Sequence, residues 1–156
     1  MIGAGSGVIE NGGISKVDVT DVADVSEGVA LNFYSANVEF DVSDTAENIA
    51  VNASNLGKAD NVVVASGGAD VTVAQAESIQ NLTGYDDAAS TFNITDDSAA
   101  VISATDSVLT DGNIHVDVTN TVGASDGAIL NAFTADIDFT VSDDAADIAA
   151  EVMAVD

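Results

Sequence analysis

The stretch Phe-Asp-Val-Ser-Asp-Thr-Ala-Glu-Asn-Ile-Ala, residues 40–50, decides the predicted fold because it joins two patterns. Its first four residues alternate apolar and polar side chains, which is the period of a β-strand with one buried face. Apolar residues then recur at helical spacing as far as Leu56, and Gly57 is suited to end a helix. The spacing from Asp44 to Glu47 is that of a capping box, which predicts that Asp44 caps this helix.

The chain repeats this stretch. Residues 17–50 align without gaps with residues 116–149, and sixteen of the 34 aligned positions are identical, too many for chance. Weaker versions of the strand pattern lie between the two copies, which gives six segments with apolar second and fourth positions. These segments are Lys16–Asp21, Glu39–Asp44, Asn61–Ser66, Thr91–Asp96, His115–Asn120 and Asp138–Asp143.

The regular spacing of these segments predicts an α/β repeat solenoid. Equivalent strands joined by crossovers of about 15 residues are expected to pair in parallel, with helices or loops covering one face of the sheet. Only residues 62–64 are continuously apolar, so the other face is expected to be wet. An all-β solenoid with three short strands in each coil is the alternative. The six strands are centred on Val19, Val42, Val64, Ile94, Val118 and Val141.

The connections between the strands are predicted to be largely helical. Residues 72–82 and the segment that begins at Ala145 follow the same helical pattern as residues 46–56, whereas residues 22–36 and 121–135 fit either a short helix or a loop, because each carries a central glycine. The phenylalanines that open three strand segments are expected to be buried beneath the crossovers. They are Phe40, Phe92 and Phe139.

Length and composition are those of one folded domain. The chain has 156 residues, 47% of them hydrophobic, and its mean hydropathy of +0.28 is too high for a disordered chain. Aromatic residues make up only 4%, which indicates a core of small side chains. Residues 12–156 are therefore predicted to be a single repeat domain of about six coils of 22–30 residues. Residues 1–11, apolar and rich in glycine, are predicted to be a flexible or partner-contacting segment.

The charge excludes several classes of partner. Two basic residues against 27 acidic ones leave a net charge of −25, which repels nucleic acid and anionic membrane surfaces. No window approaches 18 consecutive apolar residues, so membrane insertion is not expected. The absence of cysteine excludes disulfides and thiolate zinc sites.

Two sets of acidic residues are candidate ligands. One set follows the strand ends, where helix N-capping and calcium ligation are both open. The other lies on the outer strand face together with Glu39, where stacked carboxylates would repel one another unless divalent ions bridged them. Helix capping is the favoured interpretation of the strand-end set. If an ion binds to either set, calcium is the one expected, although no EF-hand loop is present, and otherwise no cofactor is expected. The predicted calcium ligands are Asp18, Asp21, Asp41, Asp44, Asp96, Asp117, Asp138 and Asp143, and Asn120 shares the strand-end column.

Catalytic chemistry is not predicted. The single histidine, His115, occupies an outward strand position, and no partner base or nucleophile marks it, so it is interpreted as a surface histidine. No Gly-x-Ser-x-Gly nucleophile motif occurs. Lys16 and Lys58 are too few to hold a phosphate group. We therefore expect a protein that is not an enzyme.

Residues 40–50, followed by Thr-Val-Ala-Gln at 72–75, resemble a repeat of very large secreted bacterial surface proteins. In that family the phrase is an aromatic residue followed by x-Val-Ser-Asp-Thr-Ala-x-Asn-Ile-Ala, and the resemblance covers most of residues 12–152. It implies haemolysin-type, S-layer-like or adhesin-like proteins. These are often exported without a cleaved N-terminal signal, are often associated with calcium, and carry no enzymatic activity in the repeat.

Two functions are expected from these features. The first is a structural, self-associating repeat module of an extracellular filament, surface layer or adhesin stalk. The alternative is an acidic module of a secreted surface protein that binds cations or another ligand. Ala145, Ile148, Ala149 and Val152 continue the apolar stripe of the last copy, which stays exposed unless something covers it. The edge at Val141 is therefore predicted to contact another protein segment, end to end.

Overall fold

The computed structural model describes residues 16–34, 37–111 and 114–154, which contain seven short strands, seven α-helices and one 3-10 helix (Ala53–Asn55). The strands are β1 (Lys16–Asp18), β2 (Asn37–Glu39), β3 (Asp41–Asp44), β4 (Asn61–Val64), β5 (Asn93–Asp96), β6 (His115–Val118) and β7 (Ile137–Asp138). The helices are α1 (Val25–Asn32), α2 (Ala46–Asn52), α3 (Val73–Gln80), α4 (Ser98–Ser103), α5 (Asp106–Thr110), α6 (Ala124–Asn131) and α7 (Ala145–Ala154). The predicted N-terminal segment, residues 1–11, lies outside the described residues.

The strands form three separate parallel sheets, in the orders β1-β2, β3-β4 and β5-β6-β7. The prediction of a solenoid with one sheet of six parallel strands is therefore wrong. The all-β alternative is wrong as well, because helices connect most of the strands. The molecule is a small α/β domain in which short sheets share a core with the helices.

One of the breaks between sheets falls at Phe40. The predicted strand Glu39–Asp44 is divided there, because the N–H of Phe40 donates to Oδ2 of Asp60 at 3.1 Å and its carbonyl accepts from the N–H of Asp60 at 2.9 Å. Both backbone groups of Phe40 thus bind a loop residue instead of a neighbouring strand. As a consequence, the residues before Phe40 join the first sheet and those after it join the second.

A second break separates β4 from β5. The N–H of Val62 donates to the carbonyl of Gly84 at 2.7 Å, and the N–H of Val64 donates to Oγ of Ser90 at 3.0 Å. Residues of the loop after α3 therefore accept the hydrogen bonds of β4 that the sequence analysis expected the next strand to accept. Ile94 of β5 forms its isolated parallel bridge with Val71 instead.

The register within the sheets differs from the predicted one by two residues. Val17 lies opposite Val38 and not Phe40, and Val116 lies opposite Ile137 and not Phe139. Because side chains alternate with a period of two, a shift of two residues keeps every side chain on its face of the sheet. The buried faces therefore agree with the pattern, although the paired residues do not.

Most of the predicted inward positions lie in the core. Phe40 and Phe92 are 2% and 7% exposed, as expected, and Val42, Val62 and Ile94 are almost fully buried. The third phenylalanine, Phe139, is only half-buried, so the expectation that all three lie fully beneath the crossovers is wrong for Phe139.

The central glycines of α1 and α6 mark close approaches of a helix to a strand. A Cβ added to Gly28 would lie 2.7 Å from Cγ2 of Val42, and one added to Gly127 would lie 2.7 Å from Cγ2 of Val141. Distances this short are not tolerated between carbon atoms, so a side chain at either position requires its neighbour to move. Both segments left open by the sequence are helices, and their glycines allow this packing.

Candidate functional site

The strand-end residues cap helices, but not the helices that the sequence predicted. Oδ2 of Asp44 accepts from the N–H of Val25, the first residue of α1, at 3.0 Å. Asp96, Asn120 and Asp143 accept in the same way from the first residue of α3, α4 and α6, at 3.0, 2.7 and 3.0 Å. Each residue thus caps a helix that begins 19–23 residues earlier in the chain.

Three of the helices that follow the strand-end residues have side-chain caps of their own. Oγ1 of Thr45 accepts from the N–H of Asn48 and caps α2, so the prediction that Asp44 caps this helix is wrong. Asp97 caps α4, and Oδ1 of Asp144 accepts from two N–H groups in the first turn of α7. In each case the residue directly after the strand-end residue caps the helix that follows. The side chain of the strand-end residue itself reaches the first residue of an earlier helix instead.

Hydrogen bonds to Asp44 and Asp143 favour the charged form of these two carboxylates. Burial by itself would raise the pKa of Asp44, but hydrogen bonds from Asn48, Val25 and Thr45 together outweigh it and lower the pKa. The N–H groups of Ala124 and Asp144 lower the pKa of Asp143. Helix capping was one of the two roles that the sequence left open for these residues, and these contacts show it. The other role, calcium ligation, stays a prediction. Asp21, the first of the strand-end residues in the sequence, is exposed and lies three residues after the end of β1.

The acidic residues of the outer strand face lie in three places and not in one column. Asp18 pairs in register with Glu39 across β1 and β2, whereas Asp41 lies opposite Asn61 in the second sheet. Asp117 lies opposite Asp138 across β6 and β7 in the third sheet. The separation of the sheets therefore divides the predicted calcium face into small groups.

Each of the two carboxylate pairs has a nitrogen base beside it. In the first copy of the repeat, Nζ of Lys16 lies 2.6 Å from Oε2 of Glu39, and this contact raises the pKa of Lys16. In the second copy, Nε2 of His115 lies 3.6 Å from Oδ1 of Asp117 and 3.5 Å from Oδ2 of Asp138. Lys16 and His115 occupy the same repeat position, 99 residues apart.

A third carboxylate holds the other side of the His115 ring. Nδ1 of His115 lies 3.0 Å from Oδ2 of Asp136, just before β7. This hydrogen bond is the main cause of the raised pKa of His115, although partial burial acts in the opposite direction. His115 was interpreted as a surface histidine, and its side chain is 33% exposed, but it has a carboxylate partner that the sequence interpretation did not identify. The repeat contained a signal for these partners. Asp136 and Asp138 are equivalent to Asn37 and Glu39 of the first copy, and Glu39 is the ion-pair partner of Lys16, the equivalent of His115.

The ligand atoms of His115, Asp117 and Asp138 all lie within 4.8 Å of one another. Carboxylate oxygens together with an imidazole nitrogen form a donor set that binds divalent cations. Among the residues that the structure describes, this is the one group of three or more histidine and carboxylate side chains with such spacing. The predicted ligands Asp18, Asp21, Asp41, Asp44, Asp96 and Asp143 do not belong to it.

Within the described ranges, no helix has the length and apolar character needed to cross a lipid bilayer. Comparison of the chain with protein-family models, with curated proteins and with solved structures found no match.

Proposed function

We propose that the chain is a structural, self-associating module of an extracellular filament, surface layer or adhesin stalk, in which copies join end to end. The observation that carries the proposal is a difference in exposure between the two copies of the repeat. Val42 and Ile49 are 1% and 0% exposed, whereas Val141 and Ile148, at the same repeat positions, are each 40% exposed. Side chains that are buried in one copy face solvent in the other.

The first copy indicates what kind of segment covers these positions. Val42 has a parallel neighbour on each side, Ala23 and Val62, and α3 packs against α2. Val141 has a bridge to Val122, and no second strand lies beside it among the described residues. The C-terminal face, defined here by Val141 and Ile148, therefore has room for an apolar strand and the helix that accompanies it.

A second copy of the chain offers a suitable surface beside β1. Val17, Val19 and Leu31 line part of a cleft of about 180 Å³ there. Within the described residues β1 pairs with β2 alone, and its other backbone edge is the one that would receive an added strand. Contact between two unlike surfaces is heterologous and extends into a filament when it does not close into a ring. The net charge of −25 opposes sideways association of such filaments.

The test is the oligomeric state of the chain and of two matched variants. We expect sedimentation velocity to detect oligomers that grow with concentration, and negative-stain microscopy to reveal filaments. Ile148→Asp should remain monomeric, because it places a charge on the C-terminal face. Val51→Asp is the control, since Val51 is 71% exposed and lies on α2. A wild-type chain that stays monomeric at high concentration, with and without calcium, overturns the proposal.

A mixing experiment tests the head-to-tail arrangement. Val19→Asp alters the cleft beside β1 and should also be monomeric, provided that its melting temperature confirms folding. Each variant keeps one intact surface, so an equimolar mixture of Ile148→Asp and Val19→Asp should form heterodimers and no longer species. A mixture that contains only monomers contradicts a contact between these two surfaces.

Cation or ligand binding by the acidic strand face is the second candidate function. The register that places Asp117 opposite Asp138 favours it, because adjacent carboxylates repel one another less when a cation lies between them. Saturable binding of one cation to a monodisperse monomer would support this candidate, and charge screening without saturation would contradict it.

A further inference from the structure

We propose that His115, Asp117 and Asp138 bind a divalent transition-metal ion such as zinc. The proposal goes beyond self-association and does not depend on it. It narrows the cation-binding alternative to one site and one class of ion.

Strand pairing brings the three side chains together. His115 and Asp117 are two residues apart on β6, so they project from the same face of the sheet. Asp138 is the register partner of Asp117 on β7 and joins them from the adjacent strand. The side chains are 33%, 47% and 75% exposed, so an ion can enter from solvent and water can complete its coordination.

The distances suit a single ion. Zinc bonds to nitrogen and oxygen ligands are about 2.0–2.2 Å long, so two ligand atoms of a tetrahedral site lie about 3.3 Å apart. Nε2 of His115 lies 3.6 Å from the oxygen of Asp117 and 3.5 Å from that of Asp138. The ligand atoms of all three residues lie within 4.8 Å of one another, so side-chain rotations can bring them into coordination range without a change in the strand pairing.

The ring of His115 is already oriented as in zinc sites. Asp136 lies 3.0 Å from Nδ1, so a proton held there directs the lone pair of Nε2 toward the two carboxylates. Histidine ligands in proteins commonly donate their other N–H to a carboxylate in this way, which sets the tautomer and strengthens the ligand. Asp136 is therefore a positioning residue.

The ligand set favours a transition metal over calcium. Calcium takes six to eight oxygen ligands, whereas imidazole nitrogen suits zinc, copper and nickel. The first copy of the repeat provides the contrast, because its equivalent residues are Lys16, Asp18 and Glu39. There an ammonium group forms the ion pair with Glu39. In the second copy an imidazole, which can lose its proton and bind a metal, takes the same place.

Calorimetric titration with zinc chloride at neutral pH tests the site. We expect one zinc ion per chain, a higher melting temperature with zinc, and no saturable calcium binding at these residues at equal ionic strength. His115→Lys keeps a positive charge, as in the first copy, and removes the nitrogen ligand. Zinc affinity should fall about tenfold or more in this variant and in Asp138→Asn.

Two controls separate a site from general attraction to the acidic surface. Asp126→Asn makes the same charge change as Asp138→Asn on the exposed face of α6, and its zinc affinity should equal that of the wild type. Cobalt substitution should give a visible absorption spectrum that is lost in His115→Lys. Zinc binding that is unchanged in His115→Lys, or equally weakened in Asp126→Asn, overturns the proposal. Self-association is measured separately, without added metal, so the two proposals can fail independently.

Discussion

Asp44 caps a helix that begins 19 residues before it, because its Oδ2 accepts from the N–H of Val25 at 3.0 Å. Asp143 makes the same contact with Ala124 in the second copy of the repeat. Contacts of this kind tie four strand-end residues to helices that begin 19–23 residues earlier in the chain. The acidic column thus has a structural role.

Loss of the Asp44 carboxylate should destabilise the fold. We expect Asp44→Ala to lower the free energy of unfolding by about 1 kcal/mol, the usual value of a helix cap. Asp44→Asn should retain part of this stability, since Asn120 makes the equivalent contact in the wild type. Urea unfolding measures both variants, and Asp41→Ala, at an exposed strand position, is the control. An equal loss in Asp41→Ala would contradict the capping role.

The contribution of Asp44 should also depend on pH. Its pKa in the folded chain lies below the ordinary value of 3.8, so folding favours the charged form. The stabilisation is therefore fully present above the ordinary pKa and is lost as the pH falls through the lowered value. The difference in unfolding free energy between the wild type and Asp44→Ala should shrink in acid. A difference that stays constant from neutral pH to strong acid would be evidence against this assignment.

The phenylalanines of the repeat should differ in their contribution to stability. Phe92→Ala removes a side chain that is 7% exposed, and we expect it to cost about 3–5 kcal/mol. Phe139→Ala should cost roughly half as much, because Phe139 is only half-buried. Thermal unfolding at low protein concentration compares the two variants. Equal losses would mean that Phe139 is as well packed in solution as Phe92.

Isoleucine substitutions compare the two copies at one repeat position. Ile49→Ala should cost about 2–5 kcal/mol, because Ile49 is fully buried. Ile148→Ala should cost no more than about 1 kcal/mol in the monomer, since Ile148 is 40% exposed. The cost of Ile148→Ala should rise with protein concentration if a second copy covers this face. Unfolding curves at two concentrations measure this change, and Ile49→Ala, whose effect should be independent of concentration, is the reference.

The central helix glycines should respond differently to alanine. At Gly28 the new methyl group would meet Val42, which is 1% exposed and has no room to move, so we expect a loss of about 1–3 kcal/mol. At Gly127 it would meet Val141, which is 40% exposed and can rotate away. There the higher helix propensity of alanine, about 1 kcal/mol, should offset most of the cost. A larger loss at Gly127 than at Gly28, measured by urea unfolding, would contradict this difference.

Salt should stabilise the chain, because 27 acidic residues against two basic ones repel one another in the compact state. We expect the melting temperature to rise with sodium chloride and to rise further with millimolar calcium at equal ionic strength. Equal effects of sodium and calcium on the melting temperature would contradict the predicted calcium sites and would mean that charge screening alone stabilises the chain.

Local sequence patterns predicted the secondary structure around residues 40–56 well. The alternation at residues 40–43 and the helical spacing after Asp44 depend on neighbours in the chain, and β3 and α2 follow them. The predicted cap of α2, Asp44, was wrong by one residue, because Thr45 caps this helix. Thr45 and Asp44 are both good capping residues, and the contact that draws Asp44 away comes from Val25, far along the chain.

The His115 group shows why the candidate site was only partly predictable. Outward placement of His115, Asp117 and Asp138 follows from strand alternation and was correctly inferred. Their contact depends on which residue of β7 lies opposite Asp117, which alternation does not record. In the register predicted from the sequence, Asp117 would lie opposite Thr140, two residues after Asp138.

The amino-acid sequence by itself determined the repeat, most strand and helix segments, the parallel direction of the strands and the side of each strand that is buried. The tertiary structure alone decided where the sheets end, which residues pair and which acidic groups meet. Strand alternation is unchanged by a shift of two residues, so the final register depends on packing. The sheets end where Asp60 and Ser90 satisfy backbone groups of distant residues, through contacts that exist only once the chain has folded.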